Sequence, residues 1–286
     1  MINKKSTARS IGDVLIKIMP YLILTIMLTV SMLPLVSMLG SSFRSKETFL
    51  TTRTIFPKVW STHFYQKVLS DPRILTYFKN SFFVSVATSA LTAVISMFGG
   101  YSMARFQRRV RGIGLFTIFI LMVQMFPTIQ MIIPLYLTFQ SLGVVNKAYT
   151  LLLAYPAFTL PMNLMMMQSF IEGIPYDMEE AGRIDGCTRL QVIWKLVLPV
   201  AKPGVATSLI LAFNNCWNEF LVAMLLIKKD EYRTMPIGLH NYMQENINDW
   251  GSIMAASALM IIPVLLFLNV LQKNIVGGLT MGAVKG

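Results

Sequence analysis

The chain has 286 residues, of which 55% are hydrophobic and only 13% charged, and a formal net charge of +12 at pH 7. A soluble domain carries about 25% charged residues, so this composition excludes a surface that faces water on every side. The basic excess lies between apolar runs, where Lys and Arg meet anionic headgroups and fix topology, and nucleic acid is excluded as a partner.

In chain order, six segments have about the 20 apolar residues that a helix needs to cross a bilayer. The first, Ile18–Gly40, follows Lys4, Lys5 and Arg9. Its uncharged run extends to Phe43, longer than the roughly 7–15 apolar residues of a signal peptide. No small-x-small cleavage site follows, so it reads as an uncleaved span. Ser41–Asn80 mixes polar residues with Phe, Trp and Tyr and reads as an outer loop. The second span is Ser81–Ala104, in which Gly99-Gly100 suits close helix approach. The third is Gly114–Leu137, where Phe116, Phe119 and Phe126 read as packing or lipid-facing rings rather than sugar-stacking ones. The fourth is Tyr149–Phe170, the fifth Gly204–Ile227 and the sixth Ser252–Gln272, with small residues at Ala255-Ala256-Ser257-Ala258. Pro34, Pro127, Pro134, Pro156, Pro161 and Pro263 predict kinks that neighbouring helices accommodate.

The positive-inside bias sets orientation. Arg105, Arg108, Arg109 and Arg111 follow the second span, and Arg183, Arg189, Lys195 and Lys202 follow the fourth, whereas only Lys147 follows the third. Both termini are therefore expected in the cytoplasm. Glu219 is the one charge inside a span. At the membrane centre a charge costs roughly 2.5–3.5 kcal/mol, so it must face protein or water. Asn214, Asn215 and Asn218 surround it. Interhelical hydrogen bonding and a place on a translocation path both fit this cluster. Cys187 and Cys216 lie in settings too different for a disulfide, and with His63 and His240 they make no zinc spacing.

The most informative stretch is the loop 174–204. Pro175 suits a first helical position, and Asp177, Glu179 and Glu180 place acids in the opening turns, which the helix dipole favours. Gly186 stands where a left-handed residue ends that helix. Thr188 then caps a second helix, Arg189–Leu198, which is expected to stop at Pro199, with Leu190, Ile193, Trp194 and Val197 on one apolar stripe. About 2–8 residues suffice to join neighbouring helices, so the loop presents a shaped surface rather than a plain connection.

These residues resemble the EAA loop of ABC importer permeases, whose pattern is E-A-A, three residues, Gly, nine residues, then I-x-L-P. The chain reads Glu180-Ala181-Gly182, three residues, Gly186, nine residues, then Leu196-Val197-Leu198-Pro199. Gly182 departs from the second Ala, and Leu196 from Ile. The run Ala181–Gly186 is also similar to the family's common AARIDGA form. Trp217-Asn218-Glu219-Phe220 resembles the WNEF motif of carbohydrate permeases, and residues 278–286 are similar to the GLTxGAVKG ending of MalG-like permeases.

The resemblance implies an all-α, polytopic type I ABC importer permease forming a single transmembrane domain over 1–286, in a prokaryotic inner membrane. It implies a second permease subunit, MalF-like and distinct, two ATPase subunits that bind ATP and Mg, an extracellular or periplasmic solute-binding protein, and a sugar substrate. Glu180, Ala181, Gly182, Asp185, Gly186, Leu196 and Pro199 are expected to couple to an ATPase. Asn214, Asn218 and Glu219 are expected on the translocation path. Asn246 and Asn248, in the polar and aromatic segment Tyr232–Trp250, are expected to meet the binding protein. The chain has no GxxxxGK[ST] phosphate loop, so no cofactor and no enzymatic activity are expected in it. A secondary transporter working without an ATPase would account for the spans and for Glu219, but not for the 180–199 loop, and there is no second intramembrane charge to build an ion relay. A membrane-embedded enzyme lacks a catalytic constellation.

Overall fold

The computed structural model describes residues 11–49, 54–107, 109–245 and 249–282. Helix α1 covers Ile11–Ser42, and the short α2 covers His63–Leu69. Helix α3, Pro72–Phe106, takes in the second expected span but begins well ahead of Ser81. Its start is fixed by Asp71, whose side chain accepts from Arg73 N at 2.9 Å, and by Pro72 in the first turn. The buried face continues back through Tyr77 and Ile74, so packing rather than bilayer thickness sets its length, and the loop before it is shorter than expected.

The third expected span is not one rod. Helices α4 (Arg111–Met125) and α5 (Thr128–Ser141) meet at 104°. Phe126 is extended at φ −76, ψ 126 because the ring of Pro127 disfavours a helical residue before it. Helix α6, Thr150–Glu172, by contrast, runs on through Pro156 and Pro161. Helix α7 (Asp177–Ile184) and helix α8 (Arg189–Val192) follow.

The helix begun by α8 does not stop at Pro199. It passes through a π-turn at Ile193–Val197 into helix α9, Leu198–Trp217, giving one apolar rod from Arg189 to Trp217. Proline has no N–H, and its ring presses on the carbonyl four residues back. The wider turn, in which the Leu198 N–H reaches the Ile193 carbonyl, makes room for it. The turn also splits the expected apolar stripe: Ile193 and Val197 are buried, whereas Leu190 and Trp194 are exposed. The fifth span is interrupted again after Trp217 and resumes as helix α10, Leu221–Leu226. Helix α11 is Met235–Glu245 and helix α12 is Trp250–Gly282.

The chain divides into two compact units, residues 1–68 with 247–258 and residues 69–246 with 259–286. In the smaller, Phe43 packs on Trp60 and Tyr65, and the Phe64 ring lies where a Cβ on Gly251 would come within 2.2 Å. Lys67 pairs with Asp249, which also accepts from the Ser252 hydroxyl at 2.8 Å. Every residue from Ile16 to Leu35 in α1 is exposed within this chain. In the larger unit α3 packs along both α6 and α9. Gly99 and Gly100 allow the approach, since Cβ atoms there would lie 2.4 Å from Leu164 and 2.8 Å from Met167. A polar ladder joins the same helices: Thr92 to Thr159 at 2.9 Å, Ser96 to Ser208 at 3.2 Å, and the Ser208 hydroxyl donating to Asn163 at 2.8 Å. Phe213 stacks on Phe267 at 4.1 Å, and the Trp217 indole donates to the Met260 carbonyl, fixing α9 to α12.

Candidate functional site

The loop after α6 is built from its caps. Helix α7 ends in a Schellman motif: Gly186 N–H reaches the Arg183 carbonyl at 3.1 Å and Cys187 N–H reaches the Gly182 carbonyl at 3.0 Å. Gly186 has φ +86, the left-handed region that a side chain disfavours, and open space where a Cβ would stand. Thr188 then closes a capping box with Gln191 and starts α8. The turn is thus fixed by backbone geometry on both sides.

The two faces of α7 differ. Glu180, Ala181, Arg183, Asp185 and Gly186 are exposed, and Ile184 is 86% exposed, unusual for an isoleucine. Glu179 and Gly182 point inward and are buried. A Cβ on Gly182 would lie 2.3 Å from the Leu196 Cδ1 on the π-turn. The two departures from the EAA pattern are therefore in contact: a δ-carbon of Leu196 takes the space of the missing methyl at 182. Pro199 is exposed and follows the π-turn that seats α7.

Sequence reasoning missed one group here. Glu179 accepts from Tyr101 Oη and from Arg105 Nε, each at 2.7 Å, and Arg105 Nη2 donates to the Ile174 carbonyl at 2.9 Å. Spacing along the chain could not show that Glu179 meets α3; the four-residue interval between Tyr101 and Arg105, which puts both on one helix face, was the available signal.

The second candidate lies at the break in the fifth span. The Glu219 carboxylate accepts from Val222 N at 2.8 Å and Ala223 N at 3.0 Å, capping α10. It meets free N–H groups of the next helix, and this is how the chain tolerates a charge there. Asn218 donates to the Asn214 carbonyl at 2.9 Å and to its side-chain oxygen at 3.1 Å. A cavity of about 440 Å³ opens beside the break, lined by Glu219, Asn215, Asn218, Tyr155, Phe158 and Phe220 among others. Asn214 is exposed but does not line it. Phe116, Phe119 and Phe126 are exposed on the bent pair, away from this lining. Asn246 and Asn248 lie outside the described residues.

Residues 96–280 match the family model of the binding-protein-dependent transport system inner membrane component. The chain belongs to this family. The matched region runs from the middle of α3 into α12 and contains both the loop and the cavity. Among its relatives, the permease is 36% identical over 264 residues to the sulfoquinovosyl glycerol transport system permease protein SmoH of Agrobacterium fabrum, covering 92% of each chain. It is 33% identical to the trehalose/maltose transport system permease protein MalG of Thermococcus litoralis, covering 91% of this chain and 94% of that one. A crystal structure of a bacterial ABC transporter involved in the import of the acidic polysaccharide alginate superposes with a TM-score of 0.77 at 25% identity, over 92% of this chain and 98% of that one. The permease is thus an all-α, multi-pass inner-membrane protein with the ABC importer fold.

Proposed function

We propose that this permease is one transmembrane subunit of an ATP-driven, binding-protein-dependent importer of a sugar or oligosaccharide. The observation that carries the reading is the α7–Gly186–α8 turn. It is capped on both sides, seated on the bundle through Gly182 and Leu196, and offers Glu180, Ile184 and Asp185 outward. An exposed apolar side chain flanked by charges suits a protein cleft better than open water. The loop would dock on a partner ATPase that binds ATP and Mg, and closure of two such ATPases would draw the loop and its counterpart together and switch the path from inward to outward facing.

The relatives support a sugar substrate, since they are named for the transport of trehalose and maltose and of sulfoquinovosyl glycerol. The cavity at Glu219, with amide, carboxylate and aromatic groups converging, supports a place on the path for Asn218 and Glu219, with Asn214 behind them. A MalF-like second permease would complete that path. Arg105, Arg109, Arg183 and Arg189 all line one small cleft beside α7, which supports a cytoplasmic loop and cytoplasmic termini.

Purification in mild detergent from a host carrying the neighbouring transport genes tests the reading. Two ATPase subunits and a second permease should accompany the chain, and ATP hydrolysis should rise with sugar-loaded binding protein. Sugar uptake by the chain reconstituted alone, with no ATPase present, would overturn it.

A further inference from the structure

The cluster at Glu179 is not absorbed by docking, because Glu179 faces the bundle while Glu180 faces out. Adjacent residues on a helix diverge by about 100°, so two neighbouring carboxylates serve opposite sides. Glu179 is only 2% exposed, and the Arg105 side chain 9%. Both carboxylate oxygens are engaged, one by Tyr101 and one by Arg105. The guanidinium is held at two further points, by the Ile174 carbonyl and by the Tyr176 ring 5.7 Å from its centre. Ile174 and Tyr176 belong to the segment that leads into α7, so the clasp grips that helix and its entry together.

A buried ion pair gives little net stability over an apolar replacement of the same shape. What distinguishes it is direction. Apolar surfaces slide past one another at small cost, whereas a carboxylate held by two donors fixes distance and angle at once. The same inward face of α7 rests, one turn on, on the π-turn through the apolar contact of Gly182 and Leu196. The polar tie runs to the last two turns of α3, the helix that packs along both α6 and α9.

We infer that Glu179, with Arg105 and Tyr101, is a positioning cluster that makes α3 move as one body with α7, so that displacement of α7 reaches the membrane-spanning core through α3. The inference rests on the reading of α7 as the ATPase-docking helix.

Two variants keep the packing. Tyr101→Phe removes one hydroxyl, and Glu179→Gln keeps the volume and one acceptor for Arg105 while removing the charge. Each is measured in the complete transporter, in proteoliposomes, for bound ATPase, for ATP hydrolysis with sugar-loaded binding protein, and for sugar taken up per ATP hydrolysed. Both variants should hold their ATPases and hydrolyse ATP like the parent. Uptake per ATP should fall about tenfold in Glu179→Gln, the scale of one weakened hydrogen bond to a charged group, and less in Tyr101→Phe. An unchanged ratio in both variants would overturn the inference. So would loss of bound ATPase from Glu179→Gln, which would make the residue part of the docking surface or of the fold. Failure of the parent itself to bind an ATPase would overturn the docking reading instead, and is distinguished by that arm alone.

Discussion

Glu219 stands out at the scale of single residues because its charge sits in an apolar run and is nonetheless satisfied within a few residues. Its two oxygens take the N–H groups of Val222 and Ala223. Glu219→Leu leaves both donors without an acceptor at a cost of about 1–3 kcal/mol for each one cut off from water. Glu219→Gln keeps one carbonyl oxygen. The thermal midpoint of the solubilised chain should therefore fall clearly with Leu and slightly with Gln, and uptake should follow. Equal behaviour of Leu, Gln and parent would remove the capping role. Gly182 and Leu196 make a second case. Gly182→Ala alone forces the Leu196 side chain aside, costing about 1 kcal/mol, toward the low end for overpacking because the clashing atom ends a flexible side chain. Leu196→Ile moves the branch back to the β-carbon and leaves one δ-carbon in place of two, so the double variant should recover most of the loss. A double variant no more stable than Gly182→Ala would show that the two departures are independent.

The caps of α7 and α8 were legible at the scale of helices because capping is local chemistry: Gly186 and Thr188 announce it in a few residues. The continuous rod through Pro199 was not legible. Proline stops a helix when its neighbours are regular, and a π-turn depends on tertiary contacts that no local pattern carries. The break after Trp217 was hidden for a related reason, since Asn218, Glu219 and Phe220 include neither Gly nor Pro. The bend at Phe126 was half legible: Pro127 marked the place, but Pro156 and Pro161 give the same mark within an unbroken α6. For the turn between α7 and α8, Gly186→Ala should cost about 1–2 kcal/mol from the positive φ alone, too little to unfold the packed spans. Gly186→Arg adds bulk on the outward side, where the structure has open space. Membrane levels measured by immunoblot should stay near the parent, while uptake collapses and ATPase subunits are lost on purification. A Gly186→Arg transporter that keeps its ATPases and full substrate-stimulated hydrolysis would sink the docking assignment.

Orientation and docking can be read in one experiment on the whole molecule, because Ile184 is both the most exposed large apolar side chain of the α7 turn and part of the proposed contact. Cys187, partly exposed and three residues on, would confound labelling and is replaced by Ser; Cys216 is buried and is replaced by Ala. In that background Ile184→Cys removes an apolar side chain that is 86% exposed, so the fold should tolerate it with a change within about 0.5 kcal/mol. An impermeant maleimide added to intact cells should leave it unlabelled. The same reagent on inside-out vesicles stripped of peripheral subunits should label it fully, and adding back the ATPase should protect it. Protection that weakens when ATP hydrolysis is allowed to cycle would place the contact among the moving parts. Labelling from outside intact cells would reverse the topology. Full labelling in vesicles with ATPase bound would move the docking contact away from α7 and leave the exposed isoleucine unexplained.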